Sequence, residues 1–146
     1  MAVRFINCDL EVEGPRSLEY LLADLSGSVE CLGYRKTERG CFAGFELPIY
    51  QSYEPNSIIV GFCDVIERLR DNARATWRDA FYRKFDLGYE CDSNLGFFRS
   101  EIRADTVRRA AALGASIVVT IYTRHFADPD AVCLAHEEAT DGGAVR

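Results

Sequence analysis

The chain has 146 residues, enough for one hydrophobic core without metal or disulfide support, because a domain of this size buries roughly two thirds of its unfolded surface. Lys and Arg number 17 against 23 Asp and Glu, and the net charge of -6 opposes binding to nucleic acid phosphates or anionic membranes. The acidic opening segment is unlike a secretory signal and no apolar run is long enough to cross a bilayer, so a cytoplasmic location is the expectation.

In chain order, the first pattern is an alternation: Ile6, Cys8, Leu10 and Val12 on one side, Asn7, Asp9, Glu11 and Glu13 on the other. This is the period of a half-buried strand, and Gly14 and Pro15 end it. Ser17 is placed to cap a helix in which Leu18, Leu21, Leu22 and Leu25 form one stripe, and Gly27 supplies its left-handed stop. Strands at 29–34 and 41–47 follow, joined as a hairpin across a polar turn with Arg39 and Gly40. In the second of them Cys41, Ala43, Phe45 and Leu47 alternate with Phe42, Gly44 and Glu46. The loop at 48–55 carries Tyr50 and Tyr53.

Asn56 or Ser57 then caps a helix with Ile59, Phe62, Cys63, Ile66 and Leu69 at helical spacing. A polar break at 70–72 separates it from a helix with Ala73, Trp77 and Phe81 four apart. The period next switches to strict alternation at Phe85, Leu87, Tyr89 and Cys91, which leaves Asp86 and Glu90 on the opposite strand face around Gly88. Residues 97–102 form a short strand or a loop. A last helix at 105–113 turns Val107, Ala110 and Ala111 inward and stops at Gly114. The run SIVVTIY at 116–122 is almost wholly β-branched or aromatic, which predicts a central strand covered on both faces. Residues 1–124 are therefore expected to form a single α+β domain, and 125–146 a weakly structured C-terminal tail.

The order β α β β α α β (β) α β predicts a two-layer α+β sandwich, a mostly antiparallel or mixed sheet with helices packed on one face. The favoured topology is ferredoxin-like with an added αβ unit.

Six cysteines are scattered without a CxxC pair, which predicts reduced thiols, mostly buried, and neither disulfides nor zinc. The outward strand positions Asp9, Glu11, Glu30, Glu46, Asp86 and Glu90 would gather on the open sheet face if helices cover the other. Like charges opposite one another destabilise a sheet, so such a face suits a visiting cation or basic partner better than an isolated protein. No spacing marks a calcium loop, and no nucleophile, phosphate-cradling or metalloprotease motif occurs, so no catalytic residue, metal or cofactor is assigned. His125 and His136 fall in the expected tail. Arg70, Arg74 and Arg78 share a helix face, read as solvated and paired with Asp71 and Asp79 rather than as a nucleic acid platform.

Three segments together, DLEVEGPRSLEYLLADL from Asp9, TWRDAFYRKFDLGYE from Thr76 and RADTVRRAAALGASIVVTIY ending at Tyr122, resemble an uncharacterised bacterial family of small α/β domains of unknown function. The resemblance covers about four fifths of the chain, rests on strand and helix signatures, and brings no catalytic residues with it. Some of its members resemble immunity proteins encoded beside polymorphic toxins. That implies a non-enzymatic, cytoplasmic protein-binding role in which an acidic face blocks a basic toxin domain. The partner-binding residues expected are Asp9, Glu11, Glu30, Asp86 and Glu90, with Tyr34, Tyr50 and Tyr53 as aromatic anchors. Two alternatives stand beside this reading. One is a small enzyme or ligand-binding domain with a carboxylate-lined pocket near the 48–55 loop; the other is a homo-oligomeric module that pairs through an edge strand or the hairpin.

Overall fold

The computed structural model describes residues 3–48, 54–92 and 97–123. The elements in order are β1 (Val3–Gly14), α1 (Glu19–Leu25), β2 (Glu30–Lys36), β3 (Cys41–Glu46), α2 (Pro55–Glu67), α3 (Asp71–Asp79), β4 (Tyr82–Cys91), α4 (Ala104–Ala112) and β5 (Ser116–Thr123). Residues 97–103 contain no strand.

All five strands join one sheet in the order β2-β3-β1-β4-β5. Each of the first four is antiparallel to its sheet neighbours among them, while β5 runs parallel to β4. With α1 between β1 and β2, and α2 and α3 between β3 and β4, the first four strands have ferredoxin-like order and direction. A parallel neighbour requires a crossover, and α4 provides it for β5. The result is the α+β sandwich that the element order implies.

The core follows from the alternation. Cys8, Leu10 and Val12 of β1, Cys41, Ala43 and Phe45 of β3, and Phe85, Leu87 and Tyr89 of β4 are all buried on the helix-bearing face. Leu18, Leu21 and Leu25 meet them from the first helical segment, and Ile59, Phe62, Cys63 and Ile66 from α2. Gly27 and Gly114 adopt the positive φ expected of helix stops, 84° and 71°.

The structure moves several expected residues. A bulge between Phe5 and Asn7 shifts the phase of β1, so Phe5 rather than Ile6 faces inward, packing edge-on to Tyr89 at 5.5 Å, and Ile6 is 36% exposed. Helix α2 begins with Pro55, and Asn56 does not cap it; its Oδ1 accepts the Arg103 N–H at 2.9 Å and ties α2 to the start of α4. Helix α3 ends at Asp79, so Ala80 takes the buried place and Phe81 lies outside, under the Arg39 guanidinium at 4.4 Å. On α4 Ala110 is buried as expected, but its companion is Thr106, and Val107 and Ala111 are exposed.

The largest correction concerns the last strand. Composition marks 116–122 as central, but β5 is an edge strand with Val119, Ile121 and Tyr122 exposed. Among the described residues β4 is its one neighbour in the sheet, and the helical layer reaches its first half, where Ile117 packs on the core.

Arg70, Arg74 and Arg78 are exposed, as expected of a solvated face, but the partners of Arg70 and Arg74 are not Asp71 and Asp79. Arg70 chelates Asp24 with its side chain at 2.7 and 2.9 Å and its backbone N–H at 2.8 Å. Arg74 donates to the carbonyls of Leu69 and Glu67 that end α2, and Arg83 donates to Trp77 and Gly114 carbonyls. Arg16 pairs with Asp79, and Arg109 bridges α4 to Asp64 and Glu67 of α2. Arg74 and Arg83 thereby satisfy carbonyls at helix ends, and Arg16, Arg70 and Arg109 join elements through carboxylates while staying at the surface.

Candidate functional site

Strand pairing brings carboxylates into a line. Glu30 of β2 lies opposite Glu46 of β3, Glu46 opposite Asp9 of β1, and Asp9 opposite Asp86 of β4. Directly paired side chains on one face sit about 5 Å apart at Cβ, so four acidic groups cross four adjacent strands in one row. All point away from the helical layer, because their strand neighbours Leu10, Phe45 and Phe85 are in the core. Glu11 is opposite Lys84, and Glu90, further along β4, is opposite Arg4 and bonds to its guanidinium at 2.8 Å.

Asp9 is the centre of this row. Partial burial raises its pKa from 3.8 to about 6, and the charges of Glu46, Asp86 and Glu11 add to the rise. Asn7 counters them in part by donating Nδ2 to Asp9 Oδ1 at 3.0 Å, while the Thr120 hydroxyl of β5 donates to Asp86 Oδ1 at 2.7 Å. Asn7 has room because Gly88 faces it; a Cβ there would sit 2.5 Å from Asn7 Oδ1. Beneath the row the Cys8 thiol is buried and its pKa is raised, first by desolvation and then by Asp9 and Asp86, which keeps it protonated.

Four residues along β1 the same open face changes character. Arg35, Phe42, Glu13 and Tyr82 form a second row, in which the Arg35 guanidinium covers the Phe42 ring at 4.7 Å. Lys84 covers Tyr82 at 4.1 Å. A hydrogen bond from Thr37, 2.7 Å, holds the Glu13 carboxyl below its usual range, and Arg39 stands 3.6 Å away. The open face is thus acidic at one end and cationic and aromatic at the other.

Of the expected partner-binding residues, Asp9, Glu11, Glu30, Asp86 and Glu90 share the open face, joined by Glu46. Tyr34 does not. A register shift between Cys31 and Gly33 puts it level with Ala43 on the helix-bearing face, where its hydroxyl accepts the Leu18 N–H at 3.3 Å and meets Ser17 Oγ at 3.2 Å. Tyr50 and Tyr53, like His125, His136 and Cys133, lie outside the described residues. Sequence reasoning passed over Asn7, Gly88 and Thr120, which position Asp9 and Asp86; Gly88 inside a strand was the available signal.

The chemistry open to this row is limited. Among the described residues no three acidic, histidine or cysteine side chains converge closely enough to hold a metal ion. One cleft runs between residues 14–20 and α3, another lies over Glu13, Arg39 and Tyr82, and neither is lined by Asp86 or Glu90. The cysteines Cys8, Cys31, Cys41, Cys63 and Cys91 are free, with Cys31 exposed rather than in the core. Among the described residues no helix is long and apolar enough to cross a membrane. Comparison with protein-family models, curated proteins and solved structures finds no match.

Asp9 makes a prediction about stability. Its raised pKa means that the folded chain holds this proton more tightly than the unfolded chain, so the contribution is favourable at low pH and is lost as pH rises from about 4 through about 6. Asp9→Asn keeps the oxygen that accepts from Asn7 and removes the charge. Urea unfolding should show the variant more stable by about 1 kcal/mol near pH 7.5, a figure reduced for solvent screening, and no difference near pH 4. Equal stability at both pH values would show that the row carries no net repulsion.

Proposed function

We propose that this chain is a non-enzymatic binding protein whose open sheet face docks a basic protein partner, the role an immunity protein performs against a cytoplasmic toxin. The observation that carries this reading is the row Glu30, Glu46, Asp9 and Asp86, in which like charges are held side by side at the centre of a sheet. Such an arrangement works against folding when the protein is alone, and a cationic surface laid across it removes the repulsion. The absence of a convergent metal site among the described residues favours a broad basic surface over a single ion. The cationic and aromatic end around Arg35, Phe42 and Tyr82 adds orientation, because a partner matched to both ends fits in one direction only.

The test uses the wild-type chain and the Asp9→Asn, Glu46→Gln, Asp86→Asn triple variant as immobilised baits in extract from the native cells. A partner retained by the wild type at low salt, lost on the triple variant, and eluted at about 0.5 M salt is the expected result, since exposed charge pairs are screened within a few ångströms there. The retained protein should have a basic surface, and its affinity for the triple variant should be weaker by about 100-fold, equivalent to about 3 kcal/mol. Equal retention by both baits would refute the acidic row as the docking surface.

A further inference from the structure

We infer that the cleft at the hairpin turn binds a small phosphate monoester, held as a dianion by Arg35, Lys36 and Arg39. This site goes beyond the docking of a basic partner and uses the opposite end of the open face. The cleft measures about 510 Å³ and lies where the ends of β1, β3 and β4 meet the turn at 37–40. Its cations are available to a ligand. The side chains of Arg35 and Lys36 are exposed, and among the described residues they make no hydrogen bond and no ion pair. Arg35 instead sits over the Phe42 ring at 4.7 Å, a contact that fixes where the guanidinium stands while using none of its N–H donors.

The acids of the cleft are Glu13 and Glu38, and they do not balance its three cations. The Glu13 side chain is 12% exposed and already accepts from the Thr37 hydroxyl at 2.7 Å, with Arg39 3.6 Å away. Positive charge is thus in local excess, in a chain whose net charge is -6. Two guanidinium forks and an ammonium suit a group with three oxygens and nearly two charges, which a phosphate monoester has at neutral pH and a carboxylate lacks. The acidic row limits how far the ligand extends. Asp9 lies four residues along β1 from Glu13, about 13 Å at the rise of a strand, and Glu46 and Asp86 flank it. A nucleic acid strand laid along the face would meet those carboxylates, whereas a single phosphate stays within reach of the cations alone.

Titration of the full chain with glycerol 3-phosphate at pH 7.5 and low salt, followed by amide NMR, tests this. A Kd of about 1 mM or tighter is expected, with shifts centred on 35–39, Glu13 and Tyr82. Acetate, with a single charge, should bind at least about tenfold more weakly. Arg35→Gln and Lys36→Gln alter exposed side chains, so the fold should survive, as circular dichroism will verify, and each should weaken binding at least about tenfold. The Asp9→Asn, Glu46→Gln, Asp86→Asn triple variant should bind glycerol 3-phosphate at least as tightly as the wild type, so this site and the acidic docking row fail separately. No shift up to about 20 mM ligand, or unchanged affinity in both folded glutamine variants, would overturn the proposal. So would equal affinity for acetate, or tighter binding of a single-stranded oligonucleotide than of the monoester.

Discussion

Phe85→Ala is expected to lower the unfolding free energy by about 3–5 kcal/mol, the range for removing a fully buried aromatic ring. Phe85 has no exposed surface, stands level with Leu10 on β1 and Ile117 on β5, and stacks with Phe62 of α2 at 5.6 Å between ring centroids and 25° between planes. The ring therefore joins the ferredoxin-like part of the sheet to the added αβ unit, and the cavity left by alanine opens where three strands and a helix meet. A loss of that size is a large share of the 5–15 kcal/mol typical of a whole domain. Urea unfolding followed through the buried Trp77 measures it directly. Its sequence neighbour gives the contrast: Asp86 faces the other side of the same strand, and replacing it with asparagine should leave stability unchanged or slightly raised. A Phe85→Ala loss below about 1 kcal/mol would mean that this layer is not packed as described.

Gly40→Ala is expected to destabilise by about 3 kcal/mol, through backbone collision rather than lost contacts. A Cβ on Gly40 would lie 2.0 Å from the Gly14 carbonyl oxygen and 2.9 Å from both the Gly14 carbonyl carbon and the Pro15 Cα. All three atoms are backbone, so the hairpin turn cannot yield by turning a side chain. The turn is also fixed from within, because Thr37 N–H donates to the Gly40 carbonyl at 2.9 Å and Gly40 N–H donates to Thr37 Oγ1 at 3.0 Å. Movement here would also disturb the Thr37 bond to Glu13 that anchors the cationic end of the open face. Gly33→Ala is the control: it lies in the same hairpin with nothing within 4 Å of its added Cβ. Thermal unfolding of both variants should show a large drop for Gly40→Ala and almost none for Gly33→Ala, and similar melting temperatures would remove the close-approach argument.

Much of the candidate site could be read before any pairing was known. The alternation through Asp9 and Glu11, and again through Asp86 and Glu90, assigns each carboxylate a face, since successive residues of a strand point to opposite sides. What it could not assign was their alignment. That Glu46 stands between Glu30 and Asp9, and Asp86 beyond Asp9, depends on which strands are neighbours and in which register. The raised pKa of Asp9 belongs to those neighbours, and no window of sequence contains them. Tyr34 illustrates the limit at a single residue. Unbroken alternation from Glu30 would put it on the acidic side, and one bulge sends it to the helical side instead.

By itself the sequence determined the order and type of the elements, the inward residues of β3 and β4 and of β1 from Cys8 onward, the stripe of α2, and the stops at Gly27 and Gly114. These are properties of a few consecutive residues, in which side-chain period and backbone freedom are local. Tertiary structure alone decided that β5 lies at an edge despite a composition suited to the middle, that Arg74 and Arg83 reach the carbonyls of helix ends, and that four acids stand in line. Each of these depends on partners tens of residues away, and a strand's own composition records how apolar its surroundings can be without recording which neighbour supplies them.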